Sequence, residues 1–320
     1  MQFTPEFEND VLSGHYSSTQ LLARYPHLTI KKISDYACYR KLKLPQHKNF
    51  NEAFFMTQTP EMAYVTGWLA ADGCVTDRNQ IILTLKLTDI KILQDISVMI
   101  GLKTRVRTRR FFDERTKKAY ENATISFSSK VVAEEIAKYG IVPRKSLTLC
   151  YPQNWENDEL RRHFIRGYLD GDGCIHRQGN TDTSVKFVSS KHFILDLQKD
   201  INRMMGWTVQ GTTQDYKSWT TLKYGGNNSS LKLLTWLYKD TTAETRLDRK
   251  YAKYQDLIAT YAERNIPVMR CDMDGENSVI FESVEDAAEK SNVTKHALQA
   301  CLRGQNKSCG GYKFHKIVKT

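Results

Sequence analysis

The chain has 320 residues, 40% of them hydrophobic, with 47 Lys and Arg against 36 Asp and Glu, for a formal net charge of +11 and a pI of about 9.2. That leaves room for two packed domains or for one with appendages, and it suits a polyanionic partner. No run of about 18 apolar residues could span a membrane, the start Met1-Gln2-Phe3-Thr4-Pro5-Glu6 lacks the basic and apolar segments of a secretory signal, and seven cysteines without a Cys-x-x-Cys pair point to a reducing compartment rather than a disulfide framework.

Residues 1–52 are expected to be helical. Ser17-Ser18-Thr19-Gln20-Leu21-Leu22 reads as an N-cap entering a short helix, and Pro26-His27-Leu28-Thr29 breaks it. A second helix from Ile30 to about Leu42 carries Lys31, Lys32, Arg40 and Lys41, with Lys43 just beyond. The pair reads either as a helix-turn-helix or as a helical hairpin packed on the body. A first half follows over 53–152. It opens with a helix from about Glu61 to Gly73 and a strand in which Ile81, Leu83, Leu85 and Leu87 alternate with Ile82, Thr84 and Lys86. An amphipathic helix over Asp89–Ile100 comes next. Lys103–Lys118 then holds eight basic and two acidic residues, and Arg105, Arg107 and Arg109 would share one strand face. Such a face either contacts DNA or charges a strand edge against aggregation; DNA contact is the favoured reading. A strand over Ala123–Ser128 and a helix over Lys130–Tyr139 lead to Gly140-Ile141-Val142-Pro143-Arg144-Lys145-Ser146.

The second half, 153–264, keeps this order. A helix ends near Gly173, and a strand is expected over Ser184–Ser189 with a helix over His192–Met205. Hairpin strands follow at about Thr208–Thr213 and Trp219–Tyr224, then a helix over Ser229–Tyr238. Arg246-Leu247-Asp248-Arg249-Lys250-Tyr251 closes it. Each half therefore reads αββαββα. The hairpin is less basic than its counterpart, so the two halves are expected to read DNA differently. Residues 265–320 form a separate module: a strand and turn from Pro267 to Gly275, a strand Val279–Ser283, helices Val284–Ser291 and Thr294–Leu302, and a closing strand Gly310–Phe314. Cys271, His296, Cys301, Cys309 and His315 fall in this region, but their spacing matches no zinc pattern.

The two halves share a nine-residue stretch one hundred residues apart. Val65-Thr66-Gly67-Trp68-Leu69-Ala70-Ala71-Asp72-Gly73 matches Ile165-Arg166-Gly167-Tyr168-Leu169-Asp170-Gly171-Asp172-Gly173, and each copy continues with Cys and a β-branched residue. Small residues recur four places apart, Gly67 with Ala71 and Gly167 with Gly171, so one helix face in each copy admits close packing against another helix. Gly73 and Gly173 are expected at helix C-termini with positive φ, which puts Asp72 and Asp172 on the last turns. A carboxylate there faces the negative end of the helix dipole, and two brought together would repel. A single Asp-Gly would be ordinary turn chemistry. Two in matched context point to a shared cation, and oxygen donors without His or Cys favour Mg²⁺ (or Mn²⁺) over zinc.

At these residues the chain resembles the LAGLIDADG homing endonucleases, in the form with two motifs on one chain. The resemblance implies an α+β fold: two pseudo-symmetric αββαββα halves with saddle-shaped antiparallel sheets, flanked by a small N-terminal helical module and a C-terminal helix-turn-helix-like one. It implies a helix interface at Gly67, Ala71, Gly167 and Gly171. The metal site falls at Asp72 and Asp172 with the preceding Ala71 and Gly171, and the reaction is metal-dependent hydrolysis of both strands of DNA. Ala70 departs from the acid found at the corresponding Asp170, a position that varies in the family. A basic residue beside each scissile phosphate is expected at Lys145 and Lys250, with Lys86 and Lys186, taken as equivalent strand positions, as rivals. DNA contacts are expected from Lys86, Arg105, Arg107, Arg109, Lys186 and Lys223. Phe281-Glu282-Ser283, Asp286-Ala287-Ala288, Gly304 and Gly310-Gly311-Tyr312 resemble the modular DNA-binding domain appended to intron-encoded nucleases, which adds Thr294, Lys295, His296 and Gln299.

Protein splicing is not expected, because Met1 offers no Cys or Ser nucleophile and the tail from His315 to Thr320 lacks a His-Asn pair. The expected partner is a long asymmetric DNA duplex, bound by a monomer in the cytoplasm of a bacterial or phage-infected cell, or in an organelle. An RNA maturase acting on intron RNA and a DNA-binding regulator on the same scaffold stay open as alternatives.

Overall fold

The computed structural model describes residues 3–13, 16, 18–42, 49–115, 117–178, 182–264 and 267–317. The chain divides into two compact units, residues 1–145 with 152–156 and residues 146–151 with 157–320. The fold is α+β, and among the described residues all strand pairs are antiparallel.

The first unit begins with α1 (Pro5–Leu12), α2 (Ser18–Arg24) and α3 (Ile30–Tyr39). Helix α1 extends the two-helix expectation. Thr4 caps it and Pro5 occupies its first turn, a start that needs no partner for the missing N–H. Phe7 and Val11, one turn apart, bury against Leu21, Ile33, Tyr36 and Ala37. Thr29 caps α3, whose exposed side carries Lys31 and Arg40, followed by Lys41. Ser17 and Lys43 lie outside the described residues.

The first half then runs α4 (Pro60–Ala71), β1 (Gly73–Val75), β2 (Gln80–Lys86), α5 (Ile90–Met99), β3 (Arg107–Asp113), β4 (Lys118–Ser128) and α6 (Lys130–Ala137), with sheet order β1-β2-β4-β3. Alternation along β2 and β4 gives the sheet two unlike faces. Ile81, Leu83, Leu85, Ala123, Ile125 and Phe127 are buried, and α5 packs on these strands with Ile92, Leu93 and Ile96. Each such aliphatic side chain contributes about 1.5–3 kcal/mol on burial. The other face stays open. Arg105 precedes β3 rather than joining it, so only Arg107 and Arg109 share a strand face.

The second unit repeats the plan: α7 (Asp158–Gly171), β5 (Cys174–Gln178), β6 (Asp182–Ser189), α8 (Lys191–Met205), β7 (Thr212–Asp215), β8 (Thr220–Gly225) and α9 (Asn227–Leu237), with sheet order β5-β6-β8-β7. Strand β7 starts four residues later than the alternation suggested. Gly211 interrupts the run at φ +80°, and a Cβ there would lie 2.9 Å from Leu222 and 3.0 Å from Tyr224. The second half also has an eighth element that the sequence reading lacked, α10 (Asp248–Arg264). It flanks the edge strand β5: Lys253 Nζ donates to the Ile175 carbonyl at 2.8 Å, and Arg177 reaches Asp256 at 2.7 Å and Thr260 at 2.9 Å. A strand edge covered in this way cannot recruit another chain.

The C-terminal module is β9 (Val268–Cys271), β10 (Val279–Phe281), α11 (Val284–Lys290), α12 (Lys295–Leu302) and β11 (Lys313–Lys316), with sheet order β10-β9-β11. Residues 265, 266 and 318–320 lie outside the described residues. Cys301 and Cys309 are buried with Val268, Phe281, Leu298 and Phe314 in its core, and Cys271 is buried too. The cysteines here are core side chains, and burial pushes the Cys301 thiol up. No described helix is long and apolar enough to cross a membrane.

Candidate metal centre and nucleic-acid face

Asp72 and Asp172 are the C-cap residues of α4 and α7, at φ −98°, ψ −5° and φ −80°, ψ −10°. Both are exposed, and the next residues repeat the same pattern: buried Gly, exposed Cys, buried Val or Ile. The glycines are needed for a reason other than the one expected. Neither has a positive φ. Instead a Cβ on Gly73 would stand 2.5 Å from the Leu69 carbonyl oxygen and 2.7 Å from its Cα, and one on Gly173 would stand 2.5 Å and 2.8 Å from the same atoms of Leu169. Each chain folds back against its own helix before entering β1 or β5, and this tight return fixes where the carboxylate emerges.

Carbonyls at these helix ends, where intrahelical donors run out, are met by lysines from far along the chain; the Leu169 carbonyl also accepts from the Gly173 N–H at 3.0 Å. Lys250, on α10 and 3% exposed, shares the three N–H groups of its ammonium among the carbonyls of Leu169 at 2.6 Å, Asp170 at 2.8 Å, Gly171 at 2.9 Å and Gly173 at 2.6 Å. Lys145, 6% exposed, donates to the Ala71 carbonyl at 3.2 Å. The two lysines expected beside phosphates thus sit behind the motif turns. Their charge offsets the negative helix ends and eases the placement of a carboxylate at each. The motif positions themselves follow burial: Gly67 and Gly167 are buried, Ala71 and Gly171 half-buried.

Asp170 explains its difference from Ala70. It is fully buried, accepting from Tyr238 Oη at 2.9 Å and from the Leu247 N–H at 2.9 Å, so it ties α7 to the end of α9 and the approach to α10. Ala70 is a buried apolar residue. Other buried polar groups of α7 hold the same region. Arg162 donates to the Trp236 and Lys239 carbonyls, and Arg166 to those of Leu237 and Thr245. Arg166 also donates to His163 Nδ1 at 2.8 Å, and His163 Nε2 lies 2.9 Å from Glu159. Since arginine only donates, Nδ1 accepts from Arg166, while Nε2 lies between the Glu159 carboxylate at 2.9 Å and Arg162 Nη2 at 3.3 Å. Burial, aided by Arg166, lowers the His163 pKa to about 4. The hydrogen bond from Arg162 lowers that of Glu159 to about 2.

The open faces of the two sheets carry five of the ten expected DNA-contacting residues, Lys86, Arg107, Arg109, Lys186 and Lys223. On the first, register puts Lys86 and Arg109 across from Asn122, and Arg107 across from Thr124. On the second, Cys174, Lys186, Lys223 and Thr212 form one rung. The matching rung of the first sheet is Cys74, Ile82 and Ser126. Lys186 therefore corresponds to Ile82, and the expected equivalence of Lys86 with Lys186 is wrong by four residues. In the C-terminal module Thr294 is the N-cap of α12, Lys295 pairs with Glu285 and His296 is exposed. Lys295 and Gln299 line a recess of about 800 Å³ whose walls include Lys232, Glu285, Asp286 and Glu289.

Among the described residues, no group of three or more His, Cys, Asp or Glu could hold a metal. Asp72 and Asp172, as exposed oxygen donors at helix ends, suit a hard cation that takes its remaining ligands from water and phosphate. The Ala71 and Gly171 carbonyls, also expected at the metal, accept from Lys145 and Lys250; a carbonyl has a second lone pair for another partner.

No protein-family model matches the sequence, and no curated protein matches it. Among solved structures the chain is similar to full-length DUF199/WhiA from Thermatoga maritima (TM-score 0.44, 12% identity, 68% of each chain covered). It is also similar to the meganuclease I-SmaMI bound to uncleaveable DNA (TM-score 0.43, 10% identity, 65% of this chain and 92% of that one), and to the LAGLIDADG homing endonuclease I-GzeII in complex with its DNA target (TM-score 0.43, 10% identity, 63% and 89%). These are partial likenesses of chain path and transfer no residue roles.

Proposed function

We propose that the chain is a metal-dependent, site-specific endonuclease of double-stranded DNA, of the homing-endonuclease type, acting as a monomer on a long asymmetric target. The observation that carries this reading is the repeated motif turn. In each half an exposed aspartate caps a buried helix, a glycine forces a tight return, and the chain enters a sheet whose open face is cationic.

On this reading the open faces bind the duplex. Lys86, Arg107, Arg109, Lys186 and Lys223 neutralise phosphates and reach base edges. Asp72 and Asp172 hold Mg²⁺ or Mn²⁺. When bound, the metal would neutralise charge on the scissile phosphate and polarise the attacking water. The chain's own contribution is placement: Lys145 and Lys250 hold the helix carbonyls, and Gly73 and Gly173 set the exit of each carboxylate. The helical module around α3 adds a further cationic surface for the duplex, and the exposed thiols of Cys38, Cys74, Cys150 and Cys174 suit a reducing intracellular compartment.

The alternatives are a DNA-binding regulator and an intron-RNA maturase. A regulator has no use for two exposed acids in matched turns, which is why the nuclease is preferred; a maturase could retain them. The test is digestion of total DNA from the source, from a strain lacking the gene's own insertion, with Mg²⁺, Ca²⁺ or EDTA, followed by sequencing of new ends. Mg²⁺-dependent double-strand breaks at one or a few loci are expected. Specific retention of DNA or intron RNA by folded protein, without new ends, would overturn the proposal in favour of the alternatives.

A further inference from the structure

Each open sheet face also carries one pair of aromatic rings, set across the two hairpin strands. On the first sheet Phe111 and Tyr120 are cross-strand partners with ring centroids 5.7 Å apart and an interplanar angle of 27°. On the second, Tyr216 and Trp219 flank the two-residue turn Lys217-Ser218, the Tyr216 N–H donating to the Trp219 carbonyl, with centroids 3.9 Å apart at 17°. Both pairs lie on the cationic side. Phe111 follows Arg107 and Arg109 at alternate positions of β3, and Trp219 precedes Thr221 and Lys223 at alternate positions along β8. Counting outward from the Ser126 and Lys223 rungs, Trp219 is two steps out and Tyr120 three. The rings are neither core nor isolated: Phe111 is 38% exposed, Tyr216 45% and Trp219 41%.

Cross-strand aromatic pairs stabilise hairpins, but that role does not require them on the face that bears the arginines and lysines. A two-stranded ribbon fits the major groove, and the one apolar group that base pairs present there is the thymine C5-methyl. We infer that the Phe111/Tyr120 and Tyr216/Trp219 pairs are specificity-determining contacts for thymine methyl groups of the target. This rests on the DNA-binding reading above. The cations then set register on the phosphates, while the rings select the base.

The test uses the full chain in Ca²⁺. Duplexes are selected from a randomised library, and the selected duplex is remade with uracil replacing thymine at single positions. Thymine is expected at fixed positions of the selected site. Uracil there should weaken wild-type binding about fourfold for each methyl lost. Trp219→Ala should abolish the thymine–uracil difference at some of these positions and Phe111→Ala at others, while Trp219→Phe should keep it. The uracil comparison with wild-type protein needs no variant, so a misfolded mutant does not leave the inference standing. Selected sites with no thymine–uracil difference in wild-type binding would overturn it and leave the DNA reading intact. A difference that survives in folded Trp219→Ala and Phe111→Ala would overturn the assignment to these rings. Failure to enrich any duplex, or selection of single strands instead, would sink both.

Discussion

The Lys250 ammonium lies 2.9 Å from the carbonyl oxygen of Gly171, the residue immediately before Asp172. With three further carbonyls in reach, the lysine works as a cap for α7 placed seventy-nine positions away. Removing it strands buried carbonyls, so Lys250→Met should destabilise the second unit by about 3 kcal/mol. Urea denaturation would measure this. Cleavage should fall with the loss of folded protein and of the Asp172 placement that the lysine supports. A variant of normal stability that binds DNA but cannot cut it would return the lysine to a direct role at the phosphate.

Gly73 and Gly173 give a second stability test. Their φ values would admit alanine, but the space beside Leu69 and Leu169 would not. Gly73→Ala and Gly173→Ala should each cost about 1–3 kcal/mol, read as a lowered Tm, and should displace the adjoining aspartate. A neutral Gly73→Ala would mean that the turn relaxes and that its tight return is not what places Asp72.

The repeat was legible because it is local: nine contiguous residues carry helix, small-residue spacing, acid and glycine together. The alternation of β2, β4 and β8 was equally plain, since each strand buries one face against helices. What stayed hidden depends on distance in sequence. Nothing near Lys145 or Lys250 announces a helix end more than seventy residues earlier. Helix α10 begins inside a charged stretch, and its buried positions, Lys250, Tyr254, Leu257 and Thr260, are half polar, which weakens the apolar period. The glycine of an Asp-Gly pair looks the same whether it is required by φ or by contact. Which positions of β2 and β6 correspond likewise needed each strand's own pairing partners, and a lysine on each strand was not enough to fix it.

His163 and Glu159 predict an acid-side loss of stability in the second unit. Burial lowers the His163 pKa from 6.5 to about 4. The folded state therefore favours the neutral ring, the unfolded chain binds more protons between these values, and stability rises with pH across that window. The contribution is complete above pH 6.5 and lost as pH falls towards 4, amounting at most to about 3 kcal/mol. Glu159, with a pKa of about 2 against 4.5, adds stability that is present above pH 4.5 and lost as pH falls towards 2. Chemical denaturation at several pH values should show the slope between pH 4 and 6.5 flattened in His163→Gln. An unchanged slope there would assign the dependence to other groups.

The aspartates decide between chemistry and architecture. Both sit at helix C-caps, where a carboxylate meets the negative end of the dipole. Asp72→Asn and Asp172→Asn therefore remove a charge that does not favour the helix, and each should leave Tm unchanged or slightly raised. Each should also lower cleavage by about a hundredfold or more, or reduce it to nicking of one strand, while affinity for the target duplex in Ca²⁺ stays near wild type. Cleavage, binding and thermal unfolding measured on the same preparations separate the possibilities. A fall in Tm would make the acid structural. Full cleavage by either amide would remove that aspartate from the proposed metal chemistry and with it the reason for reading the repeated acid as catalytic.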